Sequence, residues 1–304
     1  MNNSTKYTVS VGIPAYNEAA NIARLVRHVL DQKAVHFELH EVVVVSDGST
    51  DNTDVEARGV LDPRVALRSD DRRLGKVARQ NQLCQELVGD IIVLFDADIL
   101  LADDLVLEHL VSEFRLNPQV DLVCGKHWPL EPRTFIERVA YFGAQYWETA
   151  KDLIGNRADM YNCLGQVRAF SRRFARELRV PEAAGSFEDT YSFLYAKQHG
   201  KEVVVNKKAK VLFRLSSTLR DYVYQMTRYI RVPRTAHDFF PASEIAKYDH
   251  MTGAVRLRAF WATAFRLGWV LAVWYILFQS LTIVYGFIAR PRAMWAISPS
   301  SKNV

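Results

Sequence analysis

Residues Ile91–Phe95 form an unbroken apolar run that stops at Asp96-Ala97-Asp98. Two earlier runs end in the same manner. Tyr7–Ile13 opens onto Pro14–Glu18, and the β-branched run Glu41–Ser46 opens onto the turn Asp47–Thr53. Short apolar runs bounded by turn residues and separated by helical patterns predict buried strands joined by βαβ crossovers. The helical patterns fall at about Asn21–Asp31, Lys76–Leu87 and Asp103–Phe114, with a short strand at Val65–Arg68. The expected fold class is therefore α/β, a Rossmann-like and mostly parallel sheet flanked by helices. Open sheets of this kind bind ligands outside the carboxyl ends of their strands. Three acid-bearing loops at that edge predict one crevice for a nucleotide or another polar ligand.

The second half is less regular. An aromatic-rich helix is expected over Thr134–Leu153 and another over Phe187–His199, with short strands at Val167–Phe170, Val203–Val205 and Val211–Phe213. A basic helix follows from about Leu219 to Arg231, and Pro233 and Pro241 bound a linker. From Lys201 to Arg234 there are nine Lys or Arg residues and two acids, a bias that suits a diphosphate, an anionic membrane surface or nucleic acid.

Leu267–Ile288 carries no charge at all. As a helix its 22 residues would span about 33 Å, against a hydrocarbon core of about 30 Å. Trp261, Trp269, Tyr285 and Trp295 supply aromatics for a membrane interface. A single membrane segment is expected, a buried amphipathic helix being the alternative. Arginines on both flanks, Arg256, Arg258 and Arg266 before it and Arg290 and Arg292 after it, leave its orientation open. The opening residues run straight into a strand, so no secretory leader is expected. Cys84, Cys124 and Cys163 lack metal-ligand spacing and read as reduced, half-buried thiols, in keeping with a cytosolic soluble portion.

Six motifs then fall in order: PAYNE (Pro14–Glu18), DGSTDNT (Asp47–Thr53), Gly75-Lys76 with Asn81, DAD (Asp96–Asp98), ED (Glu188-Asp189) and QMTRY (Gln225–Tyr229). Each is weak alone, but the ordered set resembles the family 2 glycosyltransferases of GT-A fold over roughly residues 7 to 235. The resemblance implies a transferase that moves a sugar from a UDP- or GDP-sugar to an acceptor hydroxyl with inversion at the anomeric carbon. The implied organisation is a catalytic domain over 1–240, a linker over 241–259, a membrane-spanning or membrane-anchoring helix over 260–289 and a tail over 290–304. The implied location is the cell membrane, single-pass, with the catalytic domain on the cytoplasmic side.

The roles divide between donor and acceptor. Two bare carboxylates would repel a diphosphate, and a hard divalent cation between them inverts that repulsion, so Mg²⁺ or Mn²⁺ is the expected cofactor. By resemblance Asp98 is the direct metal ligand and Asp96 contacts donor ribose or sugar. Asp47 ends a buried strand, where an unpaired acid is costly, and a nucleobase edge would satisfy it. Pro14, Ala15 and Glu18 lie at the neighbouring strand end, against base or ribose. Gly75 admits close backbone approach, while Lys76 pairs with phosphate or with the aspartates.

On the acceptor side Asp189 is the expected general base, with Glu188 beside it and Gly165 in a small-residue loop lining the pocket. Gln225, Arg228 and Tyr229 share one helical face. Arg228 suits the departing diphosphate through bidentate guanidinium–phosphate geometry, with Gln225 beside it, and Tyr229 suits stacking on acceptor sugar. Tyr stands where the QxxRW signature has Trp, which leaves acceptor identity open between a glycan and a lipid-linked carrier, including polyprenyl phosphate. A sugar-phosphate nucleotidyltransferase is disfavoured because PAYNEAANIARL lacks a Gly-rich phosphate loop. A non-catalytic membrane-bound binding protein gains nothing from carrying DAD, ED and QxxR together. Nucleic-acid binding is not expected, since the basic segment lacks a matching motif.

Overall fold

Apolar residues alternate or run continuously through eight strands that pair into one sheet. The computed structural model describes residues 6–155, 159–288 and 299–302, and only the backbone of 229–234 and 287–288. The side chains of Tyr229, Arg231 and Arg234, and residues Arg290, Arg292 and Trp295, therefore lie outside the description. The chain divides into two units, one of Met1–Trp128 with Cys163–Phe213 and one of Pro129–Asn162 with Arg214–Lys302.

In the first unit, β1 (Tyr7–Ala15), β2 (Phe37–Asp47), β3 (Val65–Asp70) and β4 (Ile91–Phe95) are mutually parallel neighbours. They alternate with α1 (Ile22–Leu30), α2 (Thr53–Arg58) and α3 (Lys76–Glu86). After β4 the chain adds β5 (Ile99–Leu101), α4 (Val106–Leu116) and β6 (Val120–Pro129). It returns through β7 (Val167–Ser171), α6 (Arg172–Glu177), α7 (Glu188–Gln198) and β8 (Glu202–Phe213). Strand β7 runs antiparallel to both β4 and β6, so the parallel Rossmann-like half of the sheet is extended by a mixed half, in the spatial order β3-β2-β1-β4-β7-β6-β8-β5. Its Val11, Val44 and Val93 are fully buried against Leu25 and Val29 of α1 and Leu107 and Leu110 of α4.

The registers place the motif loops at one edge. Ala15 pairs with Ser46, Asp47 with Asp70 and Gly12 with Leu94, so β1, β2 and β4 deliver their carboxyl ends side by side. β5 and β6 carry no strand signal strong enough to predict, and the two strands expected between Val203 and Phe213 form one. A three-residue strand such as β5 is specified by its antiparallel partner β8 rather than by local pattern.

The second unit is helical. It contains α5 (Phe135–Ile154), α8 (Leu219–Phe239), α9 (Ala242–Tyr248), α10 (Gly253–Leu267) and α11 (Trp269–Ile288). Thr134 and Glu137 start α5 with a reciprocal capping box, which satisfies two otherwise unpaired backbone N–H groups. Helix α8 continues through Pro233 to Phe239, and the stretch read as a linker carries α9 and the start of α10. Gly268, at φ 101°, separates α10 from α11. Among the described residues α11 is the helix long and apolar enough to cross a membrane, over Trp269–Gly286.

Candidate active site

The carboxyl edge of the sheet is built first from its loops. Asn17 adopts a left-handed backbone, φ 53°, which Asn tolerates better than most residues. Its side chain then bridges to the DGST turn: Thr50 N–H donates to Asn17 Oδ1 at 2.8 Å and Asn17 Nδ2 donates to Thr50 Oγ1 at 3.2 Å. Glu18 is buried, with its backbone N–H donating to Thr53 Oγ1 at 2.7 Å and Asn21 Nδ2 donating to its carboxylate at 2.9 Å. The loops after β1 and β2 are thus tied together beside Pro14 and Ala15, the last residues of β1.

Asp47 finds donors within its own unit. Its carboxylate accepts from Leu74 N–H at 2.7 Å, Gly75 N–H at 2.9 Å and Arg79 Nε at 2.9 Å, and Arg79 is itself buried. The cost of ending a buried strand in an acid is thus already met inside the unit. Gly75 takes φ 95°, a conformation other residues adopt only with strain, and this turns its N–H onto Asp47 just as α3 begins. Asn81 of α3 exchanges hydrogen bonds with Val180 N–H and C=O, fixing α3 to the segment that leads into α7.

Lys76, the first residue of α3, is the hinge of the acid cluster. Its ammonium lies 2.7 Å from Asp96 Oδ1 and 2.9 Å from Glu188 Oε1, with all three side chains 11% exposed or less. Burial would lower the Lys76 pKa, but Asp96 and Glu188 together hold it above its ordinary value. Burial pushes the Asp96 carboxyl up to about 6; Lys76 opposes that rise, while Asp98 and Glu188 add to it. Asp189 also rises to about 6, chiefly by burial and then by the charge of Glu188, with Arg168 and the Thr190 N–H pulling the other way.

The acceptor-side residues assigned to this unit lie in the same cluster. Gly165 N–H donates to Asp189 Oδ2 at 3.0 Å, and Thr190 N–H donates to Oδ1 at 2.6 Å. A methyl group at Gly165 would stand 3.0 Å from Glu188 Oε1 and 3.3 Å from Lys76 Nζ, so the loop approaches the acids as closely as it does because residue 165 has no side chain. Arg168 of β7, 1% exposed, donates to Ser192 Oγ at 3.0 Å and Gln80 Oε1 at 3.1 Å, and Ser192 Oγ donates to the Glu188 carbonyl at 2.7 Å. It ties the first turn of α7, which carries Glu188 and Asp189, to α3 and β7. The sequence signal for Arg168 was a charge within an apolar strand, and that for Arg79 its place one turn after Lys76.

The thiol reading is also corrected. Cys124 of β6 and Cys163 form a disulfide, with Cα atoms 5.0 Å apart, and Cys84 is the buried free thiol. Their separation of 39 residues gives no spacing signal; the pairing follows from β6 and β7 being neighbours, which delivers the loop before β7 onto β6. Gln225 and Arg228 lie on α8 in the second unit, where Gln225 Oε1 accepts from Ser216 Oγ at 2.8 Å. Tyr229 is placed there by its backbone only.

The donor set fits a divalent ion held jointly with a ligand. Among the described residues no three His, Cys, Asp or Glu side chains cluster closely enough to hold a metal by themselves. Mg²⁺ and similar ions usually take one or two carboxylates plus substrate phosphates. Asp98 is half-buried at the strand end, while both oxygens of Asp96 lie within 2.9 Å of the Lys76 ammonium. Asp98 would therefore supply the hard oxygen to an ion whose coordination a diphosphate completes, with Asp96 beside it and neutralised by Lys76.

Residues 10–178, more than half of the chain, match the model of the family described as glycosyl transferase family 2. Among curated proteins, the chain is 33% identical over 124 residues to glycosyltransferase AglD of Haloferax volcanii, covering 40% of this chain and 20% of that protein. It is 26% identical over 122 residues to glycosyltransferase GlyG of Streptococcus pneumoniae, covering 40% and 39% respectively. The chain thus matches well under two thirds of the length of these relatives. Among solved structures it resembles a mannosyltransferase from Pyrobaculum calidifontis in complex with GDP-Man and Mn²⁺, at TM-score 0.59 and 19% identity, over 94% of this chain and 77% of that one. It also resembles glucosyl-3-phosphoglycerate synthase from Mycobacterium tuberculosis in complex with Mn²⁺, UDP-glucose and phosphoglyceric acid, at TM-score 0.54 and 22% identity, over 76% and 79%. At these identities the likeness establishes the fold, which is GT-A.

Proposed function

The chain belongs to glycosyl transferase family 2, and from that premise we propose that it transfers a sugar from a UDP- or GDP-sugar to a glycan or lipid-linked hydroxyl, inverting the anomeric centre. The observation that carries this reading is the convergence of Asp96, Glu188 and Asp189 around Lys76, with the Gly165 N–H on Asp189. One side of that cluster is the strand end suited to the donor, and the other is the α7 N-terminus suited to an acceptor.

Pro14, Ala15, Glu18 and Asp47 form the base and ribose end of the donor site, Asp47 acting through the loop it holds. Asp96 contacts the donor, Asp98 holds Mg²⁺ or Mn²⁺, and Lys76 keeps the buried acids charged and separate. A bound divalent ion would supply Lewis-acid stabilisation of the leaving diphosphate. By their motif Gln225 and Arg228 suit that diphosphate, and Tyr229 and Gly165 suit the acceptor. Asp189 takes the proton of the attacking hydroxyl. An acid raised to about 6 is a stronger base than an ordinary aspartate yet is still ionised at neutral pH. Glu188 shapes the acceptor side and raises Asp189 by its charge. The chain attaches to the cell membrane through α11, with catalysis on the cytoplasmic face, a placement that rests on the family resemblance alone now that Cys124 and Cys163 are paired.

The test is a panel of UDP- and GDP-sugars offered with candidate glycans and lipid-linked acceptors, with and without Mn²⁺ or Mg²⁺. Metal-dependent release of free nucleoside diphosphate with a β-linked product from an α-linked donor is the expected result. Release of pyrophosphate, or a product of retained configuration, refutes it.

A further inference from the structure

Helix α11 has two unlike faces. On one, Tyr275 packs against Gly143 and Phe142 of α5, Phe278 packs edge-on to Tyr222 of α8, Gln279 donates to Tyr222 Oη at 3.1 Å, and Gly286 meets Thr227. These contacts run from Tyr275 to Gly286, so α11 lies along α5 and α8 for most of its length. On the other face Trp269, Val270, Val273, Ile276 and Val284 are exposed. The exposed stripe continues through Gly268 onto α10, where Leu257, Trp261 and Phe265 recur every four residues. Trp269 packs tilted against Trp261, with ring centroids 5.0 Å apart, and edge-on to Phe265 at 5.3 Å.

Two further observations fix what covers this stripe. After Asp249 the sequence contains no Asp or Glu, while the exposed Arg256, Arg258 and Arg266 accompany the apolar stripe on α10. That is the composition of a helix lying at an anionic lipid surface, apolar on one face and basic beside it. Second, the chain beyond α11 comes back: Ser300 N–H donates to Asp221 Oδ2 at 3.0 Å, and Ser217 N–H donates to Ser300 Oγ at 3.2 Å. Ser217 and Asp221 flank the start of α8, whose Tyr222 and Thr227 run alongside Phe278 and Gly286 of α11. Asp221 precedes Tyr222, which packs on Phe278, so residues after α11 lie near the level of the middle of α11 and not beyond its carboxyl end. A helix that crossed a bilayer would carry those residues to the other side and would draw the charged flanks of α5 and α8 into hydrocarbon, where charge is costly.

We propose that α10 and α11 form an in-plane ledge that docks on an anionic bilayer through the Leu257–Trp261–Phe265–Trp269 stripe, with the C-terminal residues on the same side of the membrane as the rest of the chain. The inference rests on the membrane attachment proposed above and not on the transfer reaction. It replaces passage across the bilayer with shallow burial of α10 and α11.

The test uses the full chain expressed in sealed, right-side-defined membrane vesicles. Lys247→Cys reports on residues before the ledge and Lys302→Cys on residues after it; the native free thiol, Cys84, is buried, Cys124 and Cys163 are paired, and the parent chain gives the background. Both cysteines should react with a membrane-impermeant maleimide from the same side without permeabilisation. Labelling of position 302 only after permeabilisation, with 247 labelled before it, would overturn the proposal while leaving membrane attachment intact. In parallel, purified protein is sedimented with vesicles of phosphatidylcholine alone or with phosphatidylglycerol. Phe265→Glu and Arg258→Glu should each lower binding to the anionic vesicles roughly tenfold, with α-helical content unchanged. Failure of the parent chain to sediment with either vesicle overturns the attachment itself. A lipid-independent dimer that Phe265→Glu dissociates would show the stripe to be covered by a second copy, and would also overturn the proposal.

Discussion

Replacing Lys76 by Met keeps most of the side chain and removes its charge. Asp96 and Glu188 would then face each other without the ammonium that lies 2.7 Å from one and 2.9 Å from the other. Removing one partner from a buried ionic cluster costs about 3–5 kcal/mol. At roughly 2–4 °C per kcal/mol for a domain of this size, the midpoint of thermal unfolding should fall by roughly 6–20 °C at pH 8. The deficit should depend on pH with a definite sign. The folded-state pKa of Asp96 is raised to about 6, above its unfolded value, so its contribution to stability is present in acid and is lost as pH rises through about 6. Without Lys76, the main influence holding that pKa down disappears and the window moves upward. At pH 5 protons take the place of the lost ammonium, and the deficit should shrink by at least roughly half. Circular dichroism melts of wild type, Lys76→Met, Glu188→Gln and the double variant between pH 5 and pH 8 measure this. Glu188→Gln should recover roughly 1–3 kcal/mol in the Lys76→Met background, the range for residues in contact. A deficit below about 1 kcal/mol, the value of an exposed pair, or one that does not change with pH, would refute the electrostatic role given to Lys76.

Asp189→Asn should lower transfer by about 10²–10⁴ while leaving nucleotide affinity within roughly twofold; transfer at the parental rate would exclude Asp189 as the base. In the parent, kcat/KM should fall about tenfold per pH unit below about 6, since only the ionised carboxylate accepts the proton, and level off above it. Arg168→Met removes the charge that draws the Asp189 pKa down, so the acid limb should move to higher pH, alongside a stability loss of about 3–5 kcal/mol. A pH profile of residual activity separates this from a purely structural loss, which would leave the limb in place. Chelation of divalent ions should abolish transfer, and Asp98→Asn should raise the Mn²⁺ concentration for half-maximal activity by roughly tenfold or more. Unchanged metal titration in that variant would remove Asp98 from the metal site.

Much of the parallel half of the sheet was legible because its signals are local. Ile91–Phe95 is a run of five apolar residues closed by acids, and β4 occupies those same positions. Lys76 and Asp189 were placed by motif and proved to share one cluster, although nothing in the sequence stated that they meet. Asp47 shows where local reasoning stops. A buried acid at a strand end signals a need for donors, but the donors are Leu74, Gly75 and Arg79, which only the fold brings there. The same holds for Cys124 and Cys163, paired by the neighbouring of β6 and β7 rather than by spacing. Pro233 was read as a boundary because proline usually ends a helix; in α8 the helix continues through it.

The placement of β7 bears on how the chain is made. Strand β4 is bonded on one side to β1, which precedes it, and on the other to β7, which ends at Ser171, 76 residues after Phe95. At a synthesis rate of roughly 5–20 residues per second, that second partner leaves the ribosome roughly 4–15 s after β4 does. For that interval the most apolar strand of the sheet presents an open edge, the kind of surface that recruits other chains. The long excursion through α5 that separates β6 from β7 lengthens the delay. The strand that follows Gly165 is thus also the one that covers the open edge of β4, while β6 and β5 wait longer still, until β8 is made and joins them.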